Sequence, residues 1–191
     1  MGVIIMIFKN NFSYSIDEDS IHYTIINNIT NEVICGVKTD EYETVDEQIS
    51  EYINTYVKMI NSQIPIDELK QEYIKYSKEL LEEHLLNNPL KSSVHNGEEK
   101  YYSITSEKQI LLTKEILICQ AYKDNENEYQ PSWNATGEAN TYDWTLTELM
   151  QLAYEITLTV KPKVLKQQAI EASIKNCITY DDILNIDISY N

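Results

Sequence analysis

The sequence lacks arginine altogether and is poor in glycine, proline and cysteine. All 15 basic residues are lysines, and 31 acidic residues oppose them, so the formal charge is −16. Nucleic-acid binding needs clustered cations that displace counterions from phosphates, and arginine forks usually read the bases. The composition therefore argues against contact with DNA or RNA and against docking on an anionic membrane. The carboxylates are dispersed, which favours a solubilising charge over mimicry of a nucleic acid.

Glycine and long apolar runs are the next absences. Phosphate-cradling loops need several neighbouring glycines, and no two of the four glycines here are close, which excludes a P-loop and a dinucleotide fingerprint. No stretch approaches the roughly 20 apolar residues of a membrane helix. The apolar segment 3–8 has no basic residue before it and no small-residue cleavage site after it. We therefore expect no membrane span and no signal peptide, and segment 3–8 is predicted to be a first β-strand.

Residues that commonly carry catalysis or bind metals are few and scattered. The three cysteines lie far apart within apolar stretches, which predicts reduced, buried thiols rather than disulfides. His22, His84 and His95 lack metal-ligand spacing, and each is predicted to be a structural or surface residue. The acidic run 124–128 lacks the turn glycine and closing glutamate of a calcium loop, so a solvated loop is predicted. No Gly-x-Ser-x-Gly elbow is present. We expect no catalytic residue, cofactor or metal, and a protein that is not an enzyme.

The order of patterns in the first half predicts an α+β fold that begins with an antiparallel sheet. Runs 12–16, 21–29 and 32–37 are rich in β-formers, and the last two are joined by a natural hairpin connection. Thr44 and Glu47 have the spacing of a capping box, and helical periodicity follows to about residue 60. A second helix is predicted from Pro65 to residue 87. Its heptad spacing over 66–80 indicates packing within the chain or, alternatively, an oligomer seam.

The pattern changes at the Asn87-Asn88-Pro89 sequence, which predicts two domains, 1–88 and 89–191. In the second domain, Asn96-Gly97 predicts a β-hairpin, and Gly137 is at the centre of a possible second hairpin. The predicted helices are one capped by Ser106, a long one opened by a Thr145–Glu148 capping box and kinked or broken at Pro162, and a short turn capped by Thr179.

Two tryptophans near predicted strand ends are the most distinctive side chains of the second half. Trp133 and Trp144, with Tyr142 beside the second, are predicted to bind a partner, because tryptophan and tyrosine dominate interface hot spots. The other interpretation, which is favoured, is that both tryptophans pack beneath the C-terminal helices, where each buries a large apolar area.

The segment from about residue 90 to the end resembles a C-terminal domain shared by tailed-phage and prophage proteins that are linked to tail fibres or their assembly. The resemblance lies in residues 97–102, 105–109, Trp133, Trp144, 146–152, 166–170 and 179–184. In that family a short hairpin leads to a helix, a tryptophan-bearing strand and a helix opened by threonine. The resemblance implies a phage-tail or tail-like particle and a non-enzymatic role, and it implies no catalytic residue.

Three functions are compatible with this reading. The first is an assembly chaperone that holds a tail-fibre or receptor-binding protein in the bacterial host cytoplasm, which suits a small and strongly acidic chain. The second is a structural component retained in the tail or baseplate, which suits the 15 tyrosines and a self-associating heptad segment. The third is an acidic inhibitor of a host protein. The chaperone is favoured, with a fibre protein as its expected partner.

Overall fold

A computed structural model describes residues 6–122 and 129–190. It contains 53% helix and 14% strand, with a three-stranded antiparallel sheet followed by helices, so the predicted α+β class is confirmed. The strands are β1 (Phe12–Ile16), β2 (His22–Asn27), β3 (Glu32–Val37), β4 (Leu90–Ser92) and β5 (Lys100–Tyr102). The helices are α1 (Val45–Asn61), α2 (Ile66–Asn87), α3 (Ser106–Ala121), α4 (Leu146–Asn176) and α5 (Tyr180–Leu184).

Contacts divide the chain into two compact units. Unit 1 comprises Met1–Tyr73 and Ile174–Ile186, and unit 2 comprises Ile74–Ser173 and Asp187–Asn191. We predicted a boundary after residue 88 between two domains that fold independently. A division by contacts does not test independent folding, so this boundary stays a prediction.

The sheet of unit 1 has the order β1-β2-β3, with β2 in the centre. Tyr23, Ile25 and Asn27 alternate along β2 as buried residues, because successive side chains of a strand point to opposite faces. Opposite Tyr23 on β3 stands Gly36, and a Cβ at that position would overlap the tyrosine ring. The absence of a side chain at Gly36 is therefore what lets the Tyr23 ring lie across β3.

Helix α1 supplies the other half of the unit 1 core. Thr44 and Glu47 form the predicted capping box, since Glu47 N–H donates to Thr44 Oγ1 at 3.2 Å and Thr44 N–H donates to Glu47 Oε2 at 3.1 Å. Every fourth residue after the cap is buried, which gives one apolar stripe along the helix. The cluster of buried residues consists of Ile7, Phe12, Tyr23, Ile25, Val45, Ile49, Ile53 and Val57.

A first strand was predicted over residues 3–8. Residues 3–5 lie outside the described residues, and for residues 6–8 the prediction is wrong. Residues 6–8 are not in a strand. Instead, the backbone of Ile7 pairs with the side chain of Asn61, donating to its Oδ1 at 3.0 Å and accepting from its Nδ2 at 2.8 Å. Ile7 joins the core of unit 1, and an amide side chain takes the place of a neighbouring strand.

Unit 2 contains the second hairpin, β4-β5, in the region that Asn96-Gly97 predicted. Both turn residues have positive φ, 54° at Asn96 and 73° at Gly97, as a hairpin turn with matching twist requires. The helix that follows is capped by Thr105, whose hydroxyl accepts from Lys108 N–H at 3.4 Å, and not by Ser106. The Ser106 hydroxyl donates to Glu82 instead.

The predicted hairpin around Gly137 is reduced to a single bridge between Trp133 and Thr141. The chain does turn there, with φ of 80° at Gly137. The turn is closed by the bond from Glu138 N–H to the Ala135 carbonyl at 3.1 Å, and Thr136 N–H within it donates at 2.8 Å to the carbonyl of Tyr101, the central residue of β5. The predicted acidic loop at 124–128 lies outside the described residues.

Helix α4 begins at the predicted Thr145–Glu148 capping box and runs without interruption through Pro162, so the prediction of a break there is wrong, while a kink stays a prediction. A proline inside a helix costs about 3 kcal/mol. Ile156 and Val160 before it and Ile170 after it keep the same buried face, so packing outweighs that cost. The predicted last cap is confirmed, because Thr179 accepts from Asp182 N–H and α5 follows. Among the helices described, none is both long enough and apolar enough to cross a bilayer.

Candidate functional site

The hairpin turn of unit 2 holds His95 against an aromatic pair. The ring of His95 stacks on Trp144 with centroids 4.1 Å apart and planes 6° apart. Tyr102, from β5, meets Trp144 edge-on at 5.8 Å and 86°. The exposed fractions are only 7% for His95, 4% for Trp144 and 1% for Tyr102. Aromatic pairs of this geometry stabilise by about 0.5–1.5 kcal/mol beyond the area they bury, so the three rings form a rigid cluster.

Two carboxylates flank the imidazole. Oδ1 of Asp143 lies 3.3 Å from His95 Nε2, and Oε1 of Glu148 lies 3.3 Å from His95 Nδ1, the latter outside hydrogen-bonding geometry. A hydrogen bond from the Thr141 side chain lowers the pKa of Asp143, with smaller contributions from Asn96 and from the charge of His95. Burial acts to raise the pKa of Glu148, but its hydrogen bonds from Thr145 and Asn96 outweigh burial and hold it low. Both groups are therefore carboxylates near neutral pH.

A cavity of about 150 Å³ adjoins this cluster. Its lining combines aromatic and charged side chains from the hairpin and from the 133–144 loop, among them His95, Lys100, Tyr102, Trp133, Asp143 and Trp144. Lys100 Nζ donates to Glu138 Oε2 at 2.8 Å at the same cavity. We call this space the hairpin cavity.

Three residues that line the hairpin cavity each carry a buried polar atom with no hydrogen-bond partner among the described residues. These atoms are His95 Nδ1, the Tyr102 hydroxyl and Trp144 Nε1. Burial raises the pKa of Tyr102, so its hydroxyl keeps its proton and can donate. Buried polar groups in folded proteins are almost always satisfied, so these atoms are exceptions. The atoms themselves are fully buried, so they are not open to the cavity that their residues line.

The structure brings two of the three predicted partner-binding residues to this cavity. Trp133 and Trp144 both line it, and both are buried, at 7% and 4% exposure. Lys108 Nζ lies 5.4 Å from the centroid of the Trp133 ring, a cation–π distance. Tyr142 is 67% exposed and offers its ring to solvent. Partner binding by the three residues stays a prediction, and Tyr142 is the one with free surface.

Sequence reasoning treated His95 as an unremarkable structural residue and gave Tyr102 no role. The sequence did show that His95 directly precedes the predicted Asn96-Gly97 turn and that Trp144 directly precedes the predicted Thr145 cap. The spacing of residues in the sequence does not show that this turn and this cap lie next to each other in the fold. Among the described residues, no group of three or more histidine, cysteine or acidic side chains is arranged to hold a metal ion.

A second feature of unit 2 is the outer face of helix α3. Leu112 and Cys119 face the core, whereas four large aliphatic residues on the other side are 40–58% exposed. We call these four residues the α3 strip: Ile110, Leu111, Leu117 and Ile118. A helix that is apolar on two sides usually buries both, so the strip is a surface without a partner in this structure.

Helix α4 repeats this arrangement. Leu149, Leu152 and Ile156 are buried, and the opposite side of the helix carries exposed apolar residues over four turns. The α4 strip consists of Met150, Tyr154, Leu158 and Leu165, which are 48–58% exposed.

Comparison with known protein families, with curated proteins and with solved structures found no match for this chain.

Proposed function

We propose that this protein is a non-enzymatic assembly chaperone that holds a tail-fibre or receptor-binding protein, and that the α3 strip is the surface that binds this client. The observation that carries the proposal is a helix with two apolar faces, one of them uncovered. Single exposed aliphatic residues are ordinary, but a contiguous apolar surface marks an interaction site.

The arrangement of the exposed side chains on α3 supports binding of the client along this helix. Ile110 and Leu117 are seven residues apart, as are Leu111 and Ile118, so the four side chains form two adjacent rows along the helix. Lys114 lies between the rows and keeps the strip hydrated when no client is bound. The α4 strip offers a second, longer apolar surface on the same unit.

The charge of −16 supports a transient holder. A protein that exposes two apolar strips risks self-association, and strong like charge on every copy opposes that association. A client without this excess of acidic residues meets no such repulsion.

The alternative role is a structural component retained in the particle. It was supported by the heptad segment 66–80, which was expected to pack against a neighbouring protein. Leu69 and Tyr73 of that segment are buried within the chain, at 0% and 5% exposure, so they have no free area for a neighbour. This burial favours the chaperone over the retained component.

The test is a binding measurement with a tail-fibre or receptor-binding protein, taken from a gene that neighbours this one. The two proteins are co-expressed and purified, and the dissociation constant is measured for the wild type and for Ile110→Ser and Leu117→Ser. Full burial of such a side chain contributes about 1.5–3 kcal/mol, and Ile110 and Leu117 are 56% and 58% exposed before binding, so each substitution should weaken binding by roughly fourfold to twentyfold.

Leu86→Ser is the matched control, because Leu86 is also helical, also in unit 2 and 66% exposed, but off the strip. It should leave the dissociation constant unchanged. Equal binding by all variants would remove the α3 strip from the proposal, and absence of fibre binding by the wild type would refute the chaperone role. A stoichiometric band of this protein in purified tails would instead establish the retained component.

A further inference from the structure

The outer face of α4 carries no exposed acidic residue, although the chain has 31 acidic residues. The three glutamates of this helix are all half-buried, whereas helix α1 exposes all three of its acidic residues. Two copies of a chain with a charge of −16 repel each other wherever a contact brings exposed carboxylates together. A contact made through α4 avoids that repulsion at the contact itself.

The apolar residues of this face have the spacing that a second helix can cover. Tyr154, Leu158 and Leu165 are four and seven residues apart, so they form one row along α4. They are 54–58% exposed, and Pro162 is exposed beside them. The row is about 16 Å long at roughly 1.5 Å per residue. Helices commonly cover such a row by packing side chains into the grooves between those of a neighbouring helix.

One side of this row carries charges in a definite order. Glu148, Glu155 and Lys166 are 7 and 11 residues apart, close to two and three turns of 3.6 residues, so they lie along the same side of α4. The carboxylates are in the N-terminal half of the helix and the ammonium group is in the C-terminal half. A second copy that lies antiparallel reverses this order, so opposite charges face each other.

The register that matches the charges also matches the apolar side chains. A two-fold axis beside Leu158 places Lys166 of one copy between Glu148 and Glu155 of the other. Leu158 then contacts its own counterpart, and Leu165 lies within one turn of Tyr154 of the other copy. The face is therefore complementary to itself, as the interface of a symmetric dimer must be.

We propose that two copies of this chain form a symmetric dimer through antiparallel α4 helices. The row of Tyr154, Leu158 and Leu165 is the centre of the contact, and Lys166 pairs with carboxylates of the other copy at its edge. The contact is one helix wide, so the dimer is weak and its population rises with protein concentration. The contact does not use the α3 strip.

Sedimentation velocity of the full chain alone, over a range of concentrations, measures the dissociation constant of the dimer without any client. Leu158→Ser removes one apolar side chain from each copy, so this constant should rise by at least about tenfold. Leu117→Ser is the matched control, because Leu117 is equally exposed, at 58%, on α3 of the same unit. It should leave the constant unchanged, whatever its effect on client binding. Both side chains are more than half exposed, so neither substitution should lower the melting temperature.

Lys166→Glu tests the edge of the contact. This variant and its control, Lys114→Glu, both replace an exposed lysine and lower the charge from −16 to −18, so the general repulsion between copies is the same in both. Only Lys166→Glu adds a carboxylate beside Glu148 and Glu155 of the other copy. It should therefore weaken the dimer by about threefold to tenfold relative to Lys114→Glu.

Cross-linking tests the antiparallel orientation, in a Cys35→Ser background because Cys35 is exposed. Leu158→Cys places a thiol beside the two-fold axis, so oxidised glutathione should convert this variant to a disulfide-linked dimer. Leu165→Cys places the two thiols about 20 Å apart along the helices, so it should not cross-link. Parallel helices would cross-link at both positions.

Three results would overturn the proposal. A single species of monomer mass at every concentration up to the millimolar range would exclude the dimer. A dimer that Leu117→Ser weakens and Leu158→Ser does not would place the interface on α3. Cross-linking of Leu165→Cys as fast as that of Leu158→Cys would reject the antiparallel arrangement.

Discussion

The pairing of Asn61 with the backbone of Ile7 allows the most direct test of the fold. Asn61 is fully buried at the last residue of α1, and its amide satisfies both the N–H and the carbonyl of Ile7, at 3.0 and 2.8 Å. Asn61→Leu keeps the size of the side chain but removes both hydrogen bonds. Two buried backbone groups then lose their partners.

The magnitude follows from two opposing effects. Each unsatisfied group costs about 1–3 kcal/mol, or roughly 2–6 kcal/mol for the pair. The buried leucine returns about 1.5–3 kcal/mol of hydrophobic burial. We therefore expect the free energy of unfolding to fall by about 2 kcal/mol, a large share of the ~5–15 kcal/mol that stabilises a domain.

Urea denaturation followed by circular dichroism measures this loss as a shift of the midpoint by about 1 M. Asn54→Leu is the control, because Asn54 is exposed on the same helix, and it should change the free energy of unfolding by no more than about 0.5 kcal/mol. Hydrogen exchange of the Ile7 amide should accelerate in Asn61→Leu alone. A variant with wild-type stability and a still-protected Ile7 amide would refute the reasoning.

Two further predictions concern the sheet of unit 1. Gly36→Ala places a Cβ 2.7 Å from Cε2 of Tyr23 and closer still to the end of its ring. We therefore expect urea denaturation to show about 1–3 kcal/mol of destabilisation, which the double variant with Tyr23→Val should partly reverse. An unchanged midpoint in Gly36→Ala would contradict the close approach. The backbone N–H groups of His22 and Ile21, with the His22 side chain, lower the pKa of Asp19 from 3.8 to about 2. Because the folded pKa lies below the unfolded value, this stabilisation is complete above pH 3.8 and is lost as the pH falls through about 2. A titration of the Asp19 carboxyl followed by ¹³C NMR should give a midpoint near 2. Asp19→Asn should remove this contribution to the pH dependence of the free energy of unfolding. A midpoint near 3.8 would contradict the hydrogen bonds of this turn.

The elements that the sequence predicted well are those decided by neighbours in the chain. Strand β3 has the predicted bounds, and the caps at Thr44, Thr145 and Thr179 form as predicted. A cap joins residues three positions apart, so its spacing is visible in the sequence. The Asn96-Gly97 turn is equally local, because it depends on two residues that tolerate positive φ.

The elements that were predicted wrongly depend on distant partners. The apolar run before residue 9 was expected to find a neighbouring strand, yet Ile7 pairs with a side chain 54 residues away. Pro162 was expected to kink or break α4, yet packing on both sides of it keeps the helix unbroken. The hairpin around Gly137 is a single bridge, and Thr136 in its turn bonds instead to Tyr101 of β5. In each case a contact of high sequence separation outweighs the local preference.

The candidate site divides in the same way. The sequence alone established the composition that argues against phosphate and nucleic-acid partners, the scattered arrangement of potential catalytic residues, and the two tryptophans as distinctive side chains. Only the tertiary structure decided that Trp133 and Trp144 share a cavity with His95 and Tyr102, and that the polar atoms of the last two remain unsatisfied beside the indole of Trp144. Local patterns specify turns and caps through backbone conformation, whereas a cavity forms where elements distant in sequence pack imperfectly, and no periodicity encodes the space left between them.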